Sequence, residues 1–447
     1  MTITKVRNKI LNDYYRKEVK QHVSKLQENQ WDTIETHYSR QMNKLTKTLN
    51  HAKSVPFYQK YLPGTNINSD PLLVLKKLPI LEKEIILDYG ELLLHPQMKP
   101  RGIGTTSGST GIGLSFYYDE NTLRNAETLT RFFRSWYGIG LGDRTLKIWG
   151  RPLTGLKSKL QSYSSDLLRG IKTIDPWNLS SDNLENHWYQ ITRFNPDYIY
   201  GYATSIAALA KWIERFDLQK SAKKLGLKVI ISTAETLLSS DKQKIKEMFR
   251  CPVVEEYGAA EVSIMAHECP EGYFHIASES LFLECVDDNG NDVRSGEAGH
   301  LLVTSFVNRV QPLIRYRIGD FGTLLSNQCP CGRGMPLMKL TGAKIIEMIK
   351  TESGRVFSAV IVDYVNKALM QDSKIGIRQF RVTQKDIRTF VVEIVPDIHF
   401  NEQSKKKFTE LFLQQIREKN VTISFEVKER IAPLSSGKLL YFQSEIS

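Results

Sequence analysis

The distribution of hydrophobic and polar positions divides the chain into three stretches. Up to about residue 100, apolar residues recur at helical spacing, as in "LLVLKKLPILEKEIILDYGELL" from Leu72 to Leu93. Pro79 separates one amphipathic run from the next, because a proline interrupts a helix. The first stretch is therefore predicted to be mostly helical.

Short β-rich runs alternate with helical runs in the second stretch, up to about residue 340. "RTLKIWG" predicts a strand, "DYIYGYATSIAALAKWIERF" a strand, a turn and a helix, and "LKVIISTAETL" a strand before the helix "SSDKQKIKEMF". This alternation predicts an α/β core.

Beyond about residue 340 the pattern changes again. A helix is predicted around "SAVIVDYVNKALM", paired strands at "RQFRVT" and "TFVVEIV", a helix at "KKKFTELFLQQIREK" and a strand at "TISFEVKE". We therefore predict a large domain over residues 1–340, with a helical N-terminal segment, and a small α+β domain over residues 341–447.

Composition agrees with a folded protein of at least two domains. The chain has 447 residues, of which 41% are hydrophobic and 25% charged, so it can bury a large core. No apolar run approaches the ~20 residues of a membrane span, and the N-terminus lacks the apolar region of a signal peptide. We expect a cytoplasmic protein whose five cysteines are reduced or bind metal.

The formal net charge of +12 suggests an anionic partner, and much of the excess lies near the N-terminus. The basic residues there are Lys5, Arg7, Lys9, Arg16, Lys17, Lys20 and Lys25. A solvated helix face is the favoured interpretation, and contact with a membrane or with polysaccharide machinery is the alternative. Because no aromatic-interleaved basic motif is present, we expect no nucleic-acid partner.

The stretch "TTSGSTGIGLSFYYD", from Thr105 to Asp119, is rich in hydroxyl groups and glycine. Glycines let the backbone approach a ligand closely, and hydroxyls donate hydrogen bonds to phosphate oxygens. It is not a Walker A loop, since no Gly-Lys-Ser/Thr follows and a strand is predicted after it. By itself the loop fits a hairpin turn as well as a phosphate cradle.

Four further stretches follow this loop in order: "STAE" (232–235), "EEYGAAE" (255–261), "RYRIGDFG" (315–322) and "SSGKLLYF" (435–442). With the loop, they resemble the adenylate-forming superfamily of acyl-CoA synthetases and related ligases. "VPFYQKYL", "LPILEKEII", "TSGSTG" and "CPCGRG" resemble its phenylacetate-CoA ligase-like branch, which includes the CapK-like capsule-biosynthesis members. The resemblance covers essentially the whole chain and implies a large domain of mixed β-sheets flanked by helices plus a small, mobile α+β domain.

The resemblance also implies roles for individual residues. The loop would hold the ATP phosphates, Tyr257 would stack near adenine, Asp320 would bind the ribose hydroxyls and Glu261 would help to bind Mg²⁺. Arg317 or Arg333 would be available to phosphate or ribose. The predicted ATP-binding residues are Thr106, Ser107, Gly108, Ser109, Thr110, Gly111, Glu235, Tyr257, Gly258, Asp320 and Arg333.

Lys438 and Glu261 are the predicted catalytic residues. Lys438 would reach the α-phosphate and the attacking carboxylate oxygen, and with Mg²⁺ it would offset the charge on the pentacoordinate phosphorus. A compact, mobile cation suits a group that enters for one step and leaves for the next. Taken singly, each of these residues also fits a structural role.

Two departures from the family pattern are visible. Ile112 and Gly113 follow Gly111 where the family commonly has Gly-Lys-Pro or Gly-Thr-Pro, so a loop lysine is absent. Near the domain boundary the family usually has Gly-Arg followed closely by Asp. This chain has Ala343 in place of the arginine, with Glu347 as the nearest acid, which puts domain rotation in doubt.

Cysteine and histidine form a second constellation. Cys269 and His275 occur in "HECPEGYFH", and Cys329 and Cys331 in the Pro/Gly turn "CPCGRG". Cys₃His is an accepted set for tetrahedral structural zinc, with His267 as an alternative to His275. Reduced cysteines that merely line a turn are the other interpretation.

The sequence therefore predicts an ATP-dependent ligase that activates a carboxylic acid and passes its acyl group to coenzyme A. One alternative is adenylation followed by transfer to a sugar, an amine or a carrier protein in envelope polysaccharide synthesis. A second is a degenerate ligase fold that serves as a scaffold. The spacing of residues along the sequence identifies neither the carboxylic acid substrate nor the acyl acceptor.

Overall fold

The computed structural model describes residues 17–106, 114–149, 169–174, 181–340, 348–354, 375–418, 420–431 and 442–446, together with 166, 356–358, 362, 365, 368 and 369. The helices are α1 (Lys17–Asn29), α2 (Ile34–Ala52), α3 (Pro56–Gln59), α4 (Pro71–Lys77), α5 (Lys83–Asp88), α6 (Glu120–Ser135), α7 (Ser181–Phe194), α8 (Ala203–Arg215), α9 (Gln219–Lys224), α10 (Ser239–Phe249) and α11 (Glu402–Ile416).

The strands alternate with these helices from residue 102 onward. They are β1 (Gly102–Thr106), β2 (Leu114–Tyr118), β3 (Thr145–Ile148), β4 (Ile171–Ile174), β5 (Tyr198–Tyr202), β6 (Val229–Thr233), β7 (Val253–Ala259), β8 (Ser263–Glu268), β9 (Phe274–Ile276), β10 (Leu281–Val286), β11 (Ala298–Ser305), β12 (Tyr316–Leu325), β13 (Leu337–Leu340), β14 (Met348–Lys350), β15 (Val356–Ser358), β16 (Ile377–Gln384), β17 (Thr389–Pro396), β18 (Thr422–Val427) and β19 (Phe442–Ser444).

Helix boundaries follow from local chemistry. Asp70 caps α4 by accepting from the Leu73 amide, and Pro71 occupies the first turn, where its missing N–H costs nothing. Asp119 caps α6 in the same way through the Thr122 amide. As predicted, Pro79 lies between two helices, since α4 ends before it and α5 begins after it.

The chain divides into two units, of which the first contains the described residues 17–105, 114–142 and 254–340. Its strands pair antiparallel in the order β10, β11, β12, β13, β9, β8, β7. Helices α2 and α4 pack on this sheet. Leu45, Leu75, Leu283, Val303 and Tyr316 belong to the resulting core.

The second unit contains the described residues 143–253 and those from 348 onward. Strands β6, β5, β3 and β4 pair in parallel in that order. Ile199 of β5, Ile230 of β6, Ile206 of α8 and Phe249 of α10 share its core. Parallel pairing requires a crossover between strands, and α8 supplies the crossover between β5 and β6.

A separate four-stranded sheet follows in the C-terminal part of the second unit, in the order β18, β17, β16, β19. The β16–β17 pair is antiparallel, and the two outer pairs are parallel. Phe408 and Phe412 of α11 cover it, together with Val382 and Val392 from its strands.

The predicted α/β fold class is confirmed, including the strand–helix succession around residues 197–249 and the strand after the Ser/Gly loop. The helix predicted around 358–370 falls largely outside the described residues. The domain boundary predicted near residue 340 stays a prediction. Within the described residues, no helix is long and apolar enough to cross a membrane.

Candidate active site and candidate metal centre

Two tyrosines and two carboxylates form reciprocal pairs between the motifs "EEYGAAE" and "RYRIGDFG". The Tyr257 hydroxyl donates to Oδ2 of Asp320 at 3.1 Å, and the Tyr316 hydroxyl donates to Oε1 of Glu261 at 2.9 Å. Each tyrosine therefore bonds to the acid of the other motif. The structure brings Tyr257, Glu261 and Asp320 together and adds Tyr316 to them.

Strand geometry places these four side chains. Tyr316 and Asp320 both lie on β12, four residues apart. Tyr257 lies on β7, and Glu261 lies in the turn between β7 and β8. A Cβ at Gly258 would lie 2.6 Å from the Ser263 carbonyl oxygen, so this tight turn requires glycine there.

Burial sets the protonation of the two tyrosines. It raises the pKa of Tyr257 well above its usual value, and the neighbouring charge of Asp320 raises it further. The pKa of Tyr316 is raised by burial and by Glu261. Both tyrosines therefore stay protonated near neutral pH and hold the carboxylate oxygens as neutral donors. Because Tyr257 is only 8% exposed, little of its ring is open to a base, and adenine stacking stays a prediction.

The two arginines of "RYRIGDFG" have protein partners. Arg315 is buried with a left-handed backbone (φ 52°), and its Nε lies 3.1 Å from Oε1 of buried Glu284. The Arg317 Nε donates to Oε1 of Glu82 at 2.7 Å. Arg315 thus fixes the start of β12, and a phosphate or ribose that recruited Arg317 would compete with Glu82.

Glu235, predicted to contact ATP, lies in the second unit, where it caps a helix. Its Oε2 accepts from the Thr204 backbone N–H at 2.9 Å and from the Thr204 hydroxyl at 2.7 Å. Thr204 lies in the first turn of α8, whose free amide groups attract a negative charge. A structural role for Glu235 is therefore visible, and its contact with ATP stays a prediction.

Arg333 contacts the N-terminal helical segment. Its Nε donates to Oε1 of Gln30 at 2.8 Å, and its guanidinium lies 4.3 Å from the ring centroid of Trp136 and 4.9 Å from that of Trp31. Trp136 donates to the same Gln30 oxygen at 2.8 Å. These contacts give Arg333 a cation–π role, and its availability to phosphate or ribose stays a prediction.

Several predicted residues fall outside the described part of the chain. Thr106 is the last residue of β1, whereas Ser107, Gly108, Ser109, Thr110 and Gly111 lie outside the described residues, and so does Lys438. The departures at Ile112, Gly113, Ala343 and Glu347 lie outside them as well.

The four predicted metal ligands form one cluster. The donor atoms of Cys269, His275, Cys329 and Cys331 all lie within 4.8 Å of one another. Sγ of Cys269 is 3.6 Å from Sγ of Cys329, and Sγ of Cys331 is 3.3 Å from Nε2 of His275. Zn–S and Zn–N bonds of about 2.3 and 2.0 Å in a tetrahedron separate ligand atoms by roughly 3.5–3.8 Å, so this donor set fits zinc.

Strand register assembles this cluster from two distant turns. Cys269 follows β8 and His275 lies on β9, while Cys329 and Cys331 lie in the turn between β12 and β13. Strand β13 pairs with β9 so that Leu337 faces His275, which brings the two turns together. The alternative ligand His267 is not part of the cluster, since its Nδ1 lies 2.9 Å from the Glu268 carbonyl oxygen and its ring stacks on Phe133.

The thiols have no disulfide partner and are largely buried. All five cysteines are free. Burial raises the pKa of Cys269, and it raises that of Cys329 to about 12. Without a cation these two thiols keep their protons at neutral pH, and a bound divalent metal reverses that preference.

Two residues that make these contacts, Tyr316 and Gln30, were not predicted from the sequence. Tyr316 stands four residues before Asp320 within the motif "RYRIGDFG", so the motif itself was a usable signal. Gln30 carried no comparable signal, because its partners Trp136 and Arg333 are 106 and 303 residues away.

Comparison with known proteins supports the predicted resemblance, although no family model matches this chain. Protein CapK of Staphylococcus aureus is 23% identical over 399 residues, covering 86% of this chain and 84% of that protein. Phenylacetate-coenzyme A ligase of Escherichia coli (strain K12) is 26% identical over 341 residues, covering 73% and 75%.

Among solved structures, 2-hydroxyisobutyryl-CoA ligase in complex with 2-HIB-AMP and CoA in the thioesterification state has a TM-score of 0.59 to this chain. It is 17% identical, with 93% of this chain and 91% of that chain covered. The predicted fold and the predicted resemblance are thereby confirmed.

Proposed function

From the confirmed resemblance to the phenylacetate-CoA ligase-like and CapK-like branch of the adenylate-forming superfamily, we propose that this protein is an AMP-forming acid–thiol ligase. It activates a carboxylic acid as an acyl-adenylate and passes the acyl group to coenzyme A. The observation that carries the proposal is the reciprocal pairing of Tyr257 with Asp320 and of Tyr316 with Glu261.

The paired carboxylates suit the two tasks that the superfamily gives them. Glu261 is 4% exposed, and Tyr316 fixes the position of one of its oxygens. Asp320 is held by Tyr257 and can accept hydrogen bonds from ribose hydroxyls. Carboxylate oxygens are ligands that Mg²⁺ prefers. When bound, Mg²⁺ would polarise the α-phosphate and neutralise part of its charge.

Lys438 supplies the second positive charge in this proposal. An ammonium group beside the α-phosphate stabilises negative charge that develops only in the transition state, so it accelerates the step without tightening ATP binding. Loop residues 106–111 supply neutral hydroxyl and amide donors to the phosphates.

The acyl acceptor is the second half of the proposal. The phenylacetate-coenzyme A ligase relative supports coenzyme A, and the CapK relative is compatible with transfer to a sugar, an amine or a carrier protein in envelope polysaccharide synthesis. Transfer to either acceptor requires the same adenylation step, so adenylation is tested before acyl transfer.

A structural zinc site accompanies this activity in our proposal. Four protein ligands leave no open coordination position, which favours a structural metal over a catalytic one. The cluster joins the turn after β8 to the turn after β12. Zinc would therefore brace strands that carry Tyr257, Tyr316 and Asp320.

Carboxylate-dependent exchange of pyrophosphate into ATP tests the proposal directly. The purified protein with Mg²⁺ should show exchange with at least one acid from a broad panel, and Glu261→Gln should lower the rate by about 10²-fold, the typical cost of one electrostatic contact. Glu91→Gln, at an exposed position, is the matched control and should keep the wild-type rate. ATP binding without exchange for any acid would support the scaffold alternative.

A further inference from the structure

A groove in the first unit lies apart from the tyrosine–carboxylate pairs and from the cysteine cluster. Its cavity has a volume of about 960 Å³. Helices α1, α2 and α6 line it, together with residues 279–280 and the segment 305–312 that connects β11 to β12. None of Tyr257, Glu261, Asp320 or the four cluster ligands contributes to this lining.

Two hydrogen bonds at the Arg309 backbone help to hold the β11–β12 connection against its surroundings. Oδ2 of Asp119, the residue that caps α6, accepts from the Arg309 backbone N–H at 3.0 Å. Nε2 of His51 on α2 lies 2.8 Å from the Arg309 carbonyl oxygen. The connection is thus fastened to α6 and to α2, and the groove between them is formed before any ligand binds.

The lining is strongly basic. Six lysines and arginines contribute to it: Lys25, Arg40, Lys44, Lys47, Arg124 and Arg309. Glu279 is the single acidic residue of the lining. Two acids that are not part of the lining form ion pairs with it: Asp32 pairs with Arg40, and Glu18 pairs with Arg124.

Glu279 is already saturated by its neighbours. Its carboxylate accepts from the Lys44 ammonium, lies 3.5 Å from Nη1 of Arg40, and accepts from Nδ2 of Asn29 at 3.1 Å. Burial alone would raise the pKa of Glu279, but Lys44 and Arg40 hold it below its usual value. Glu279 therefore cannot neutralise the remaining cations.

Three cations of the groove have no acidic partner in the described part of the chain. These are Lys25 on α1, Lys47 on α2 and Arg309 on the β11–β12 connection, and all three are exposed. They come from three separate elements, so they point to a ligand with two or three negative charges rather than to one solvated helix face.

The rest of the lining is rich in amides and hydroxyls. Six asparagines contribute, Asn29, Asn43, Asn50, Asn121, Asn125 and Asn308, together with two threonines and two serines. Oδ1 of Asn125 accepts from the Ser280 hydroxyl at 2.8 Å, which leaves its amide nitrogen as a donor. Amides recognise hydroxyl groups through paired donors and acceptors. The apolar residues of the lining are Leu26, Phe306, Val307 and Pro312.

We propose that this groove binds an acidic saccharide, a polyhydroxylated ligand that carries two or three carboxylate or phosphate charges. Lys25, Lys47 and Arg309 pair with the charges, and the amide groups of Asn43 and Asn125 bind hydroxyls. A volume of about 960 Å³ suits a molecule of two or more sugar units. The proposal rests on the groove alone and does not require the ligase activity.

Isothermal titration calorimetry on the full chain tests the proposal with four probes. Trigalacturonate carries three carboxylates and glucose 1,6-bisphosphate carries two phosphates, while cellotriose has hydroxyls without charge and pyrophosphate has charge without a sugar. We expect one of the two acidic sugars to bind at least tenfold more tightly than both single-feature probes. Which one binds identifies the source of the charge.

Charge-reversal variants locate the site. Lys47→Glu and Arg309→Glu should each weaken binding of the acidic sugar by tenfold or more. Lys77→Glu changes the net charge as Lys47→Glu does but lies on α4 outside the groove, and it should bind as the wild type does. Pyrophosphate exchange in Lys47→Glu should equal that of the wild type, which separates this site from the ligase function.

Three results would overturn the proposal. Equal affinity for pyrophosphate and for the acidic sugars would mean that the groove recognises charge alone. Equal binding by Lys47→Glu and the wild type would place the saccharide elsewhere. Binding of phosphatidylglycerol vesicles, abolished in Lys47→Glu, with no saccharide binding would assign the groove to a membrane surface.

Discussion

The hydroxyl of Tyr316 donates to Oε1 of Glu261 at 2.9 Å, across 55 residues of sequence. Tyr316 is fully buried, so bulk water cannot take the place of Glu261 as the partner of this hydroxyl. The bond fixes one oxygen of the carboxylate that we assign to Mg²⁺. The position of the predicted metal-binding acid thus depends on a strand from a different part of the chain.

Removing that hydroxyl should affect both stability and activity. Tyr316→Phe should lower the free energy of unfolding by about 1–3 kcal/mol, because a buried carboxylate oxygen loses its donor. It should also slow pyrophosphate exchange by roughly tenfold, which corresponds to about 1.4 kcal/mol of transition-state stabilisation.

Tyr58→Phe is the matched control for that variant. Tyr58 is equally buried and donates to the Pro312 carbonyl oxygen at 2.9 Å, outside the carboxylate pairs. It should lose similar stability in urea denaturation and keep its exchange rate. If both variants lost activity equally, Tyr316 would have only a structural role.

The cysteine cluster predicts metal content. Protein prepared without chelators should contain about one zinc per chain, and Cys329→Ser should lose it and lower the melting temperature, since structural zinc contributes directly to the free energy of folding. Elemental analysis and thermal denaturation measure the two effects. Cys251→Ser, at a cysteine outside the cluster, should keep its zinc, and zinc loss there would count against the assignment.

Lys438 should separate the two half-reactions. Lys438→Ala should slow acyl-adenylate formation by on the order of 10²-fold or more, with ATP affinity nearly unchanged, because the ammonium acts on charge that develops in the transition state. Thiol transfer from a supplied acyl-adenylate should survive. Rapid-quench measurement of each half-reaction checks this, and equal loss of both would mean that Lys438 is structural or that the small domain does not alternate.

Acid should destabilise the protein in part through His37. Burial lowers the pKa of His37 in the folded state, so the unfolded chain binds the proton first, near pH 6.5. The stability that neutral His37 contributes is present above that pH and is lost as the pH falls below it. Urea denaturation at several pH values should show a smaller acid-induced loss in His37→Leu than in the wild type, and parallel curves would contradict the assignment.

The sequence by itself determined the local elements and the family resemblance. The helix break at Pro79 and the strand–helix succession after residue 197 follow from backbone restriction and hydrophobic periodicity, which act over a few residues. The order of five short motifs along the chain was enough to indicate an adenylate-forming fold.

Tertiary structure alone decided which side chains meet. His267 and His275 are cross-strand partners on β8 and β9, and both are near Cys269 in sequence, yet only His275 belongs to the cluster. The pairing of β13 with β9 selects it. Arg333 was expected near a nucleotide, and that stays a prediction. The structure shows it in contact with Gln30, Trp31 and Trp136.

The physical reason is the range of the interactions. Hydrophobic periodicity is a local property, whereas strand register joins residues far apart in sequence and determines which face each side chain occupies. Tyr257 meets Asp320 across 63 residues and Arg333 meets Gln30 across 303. The local sequence pattern around a groove-lining lysine such as Lys47 is the same as that around a lysine on a solvated helix face. The two kinds of lysine differ only in the tertiary structure, where separate helices and a loop pack around one cavity.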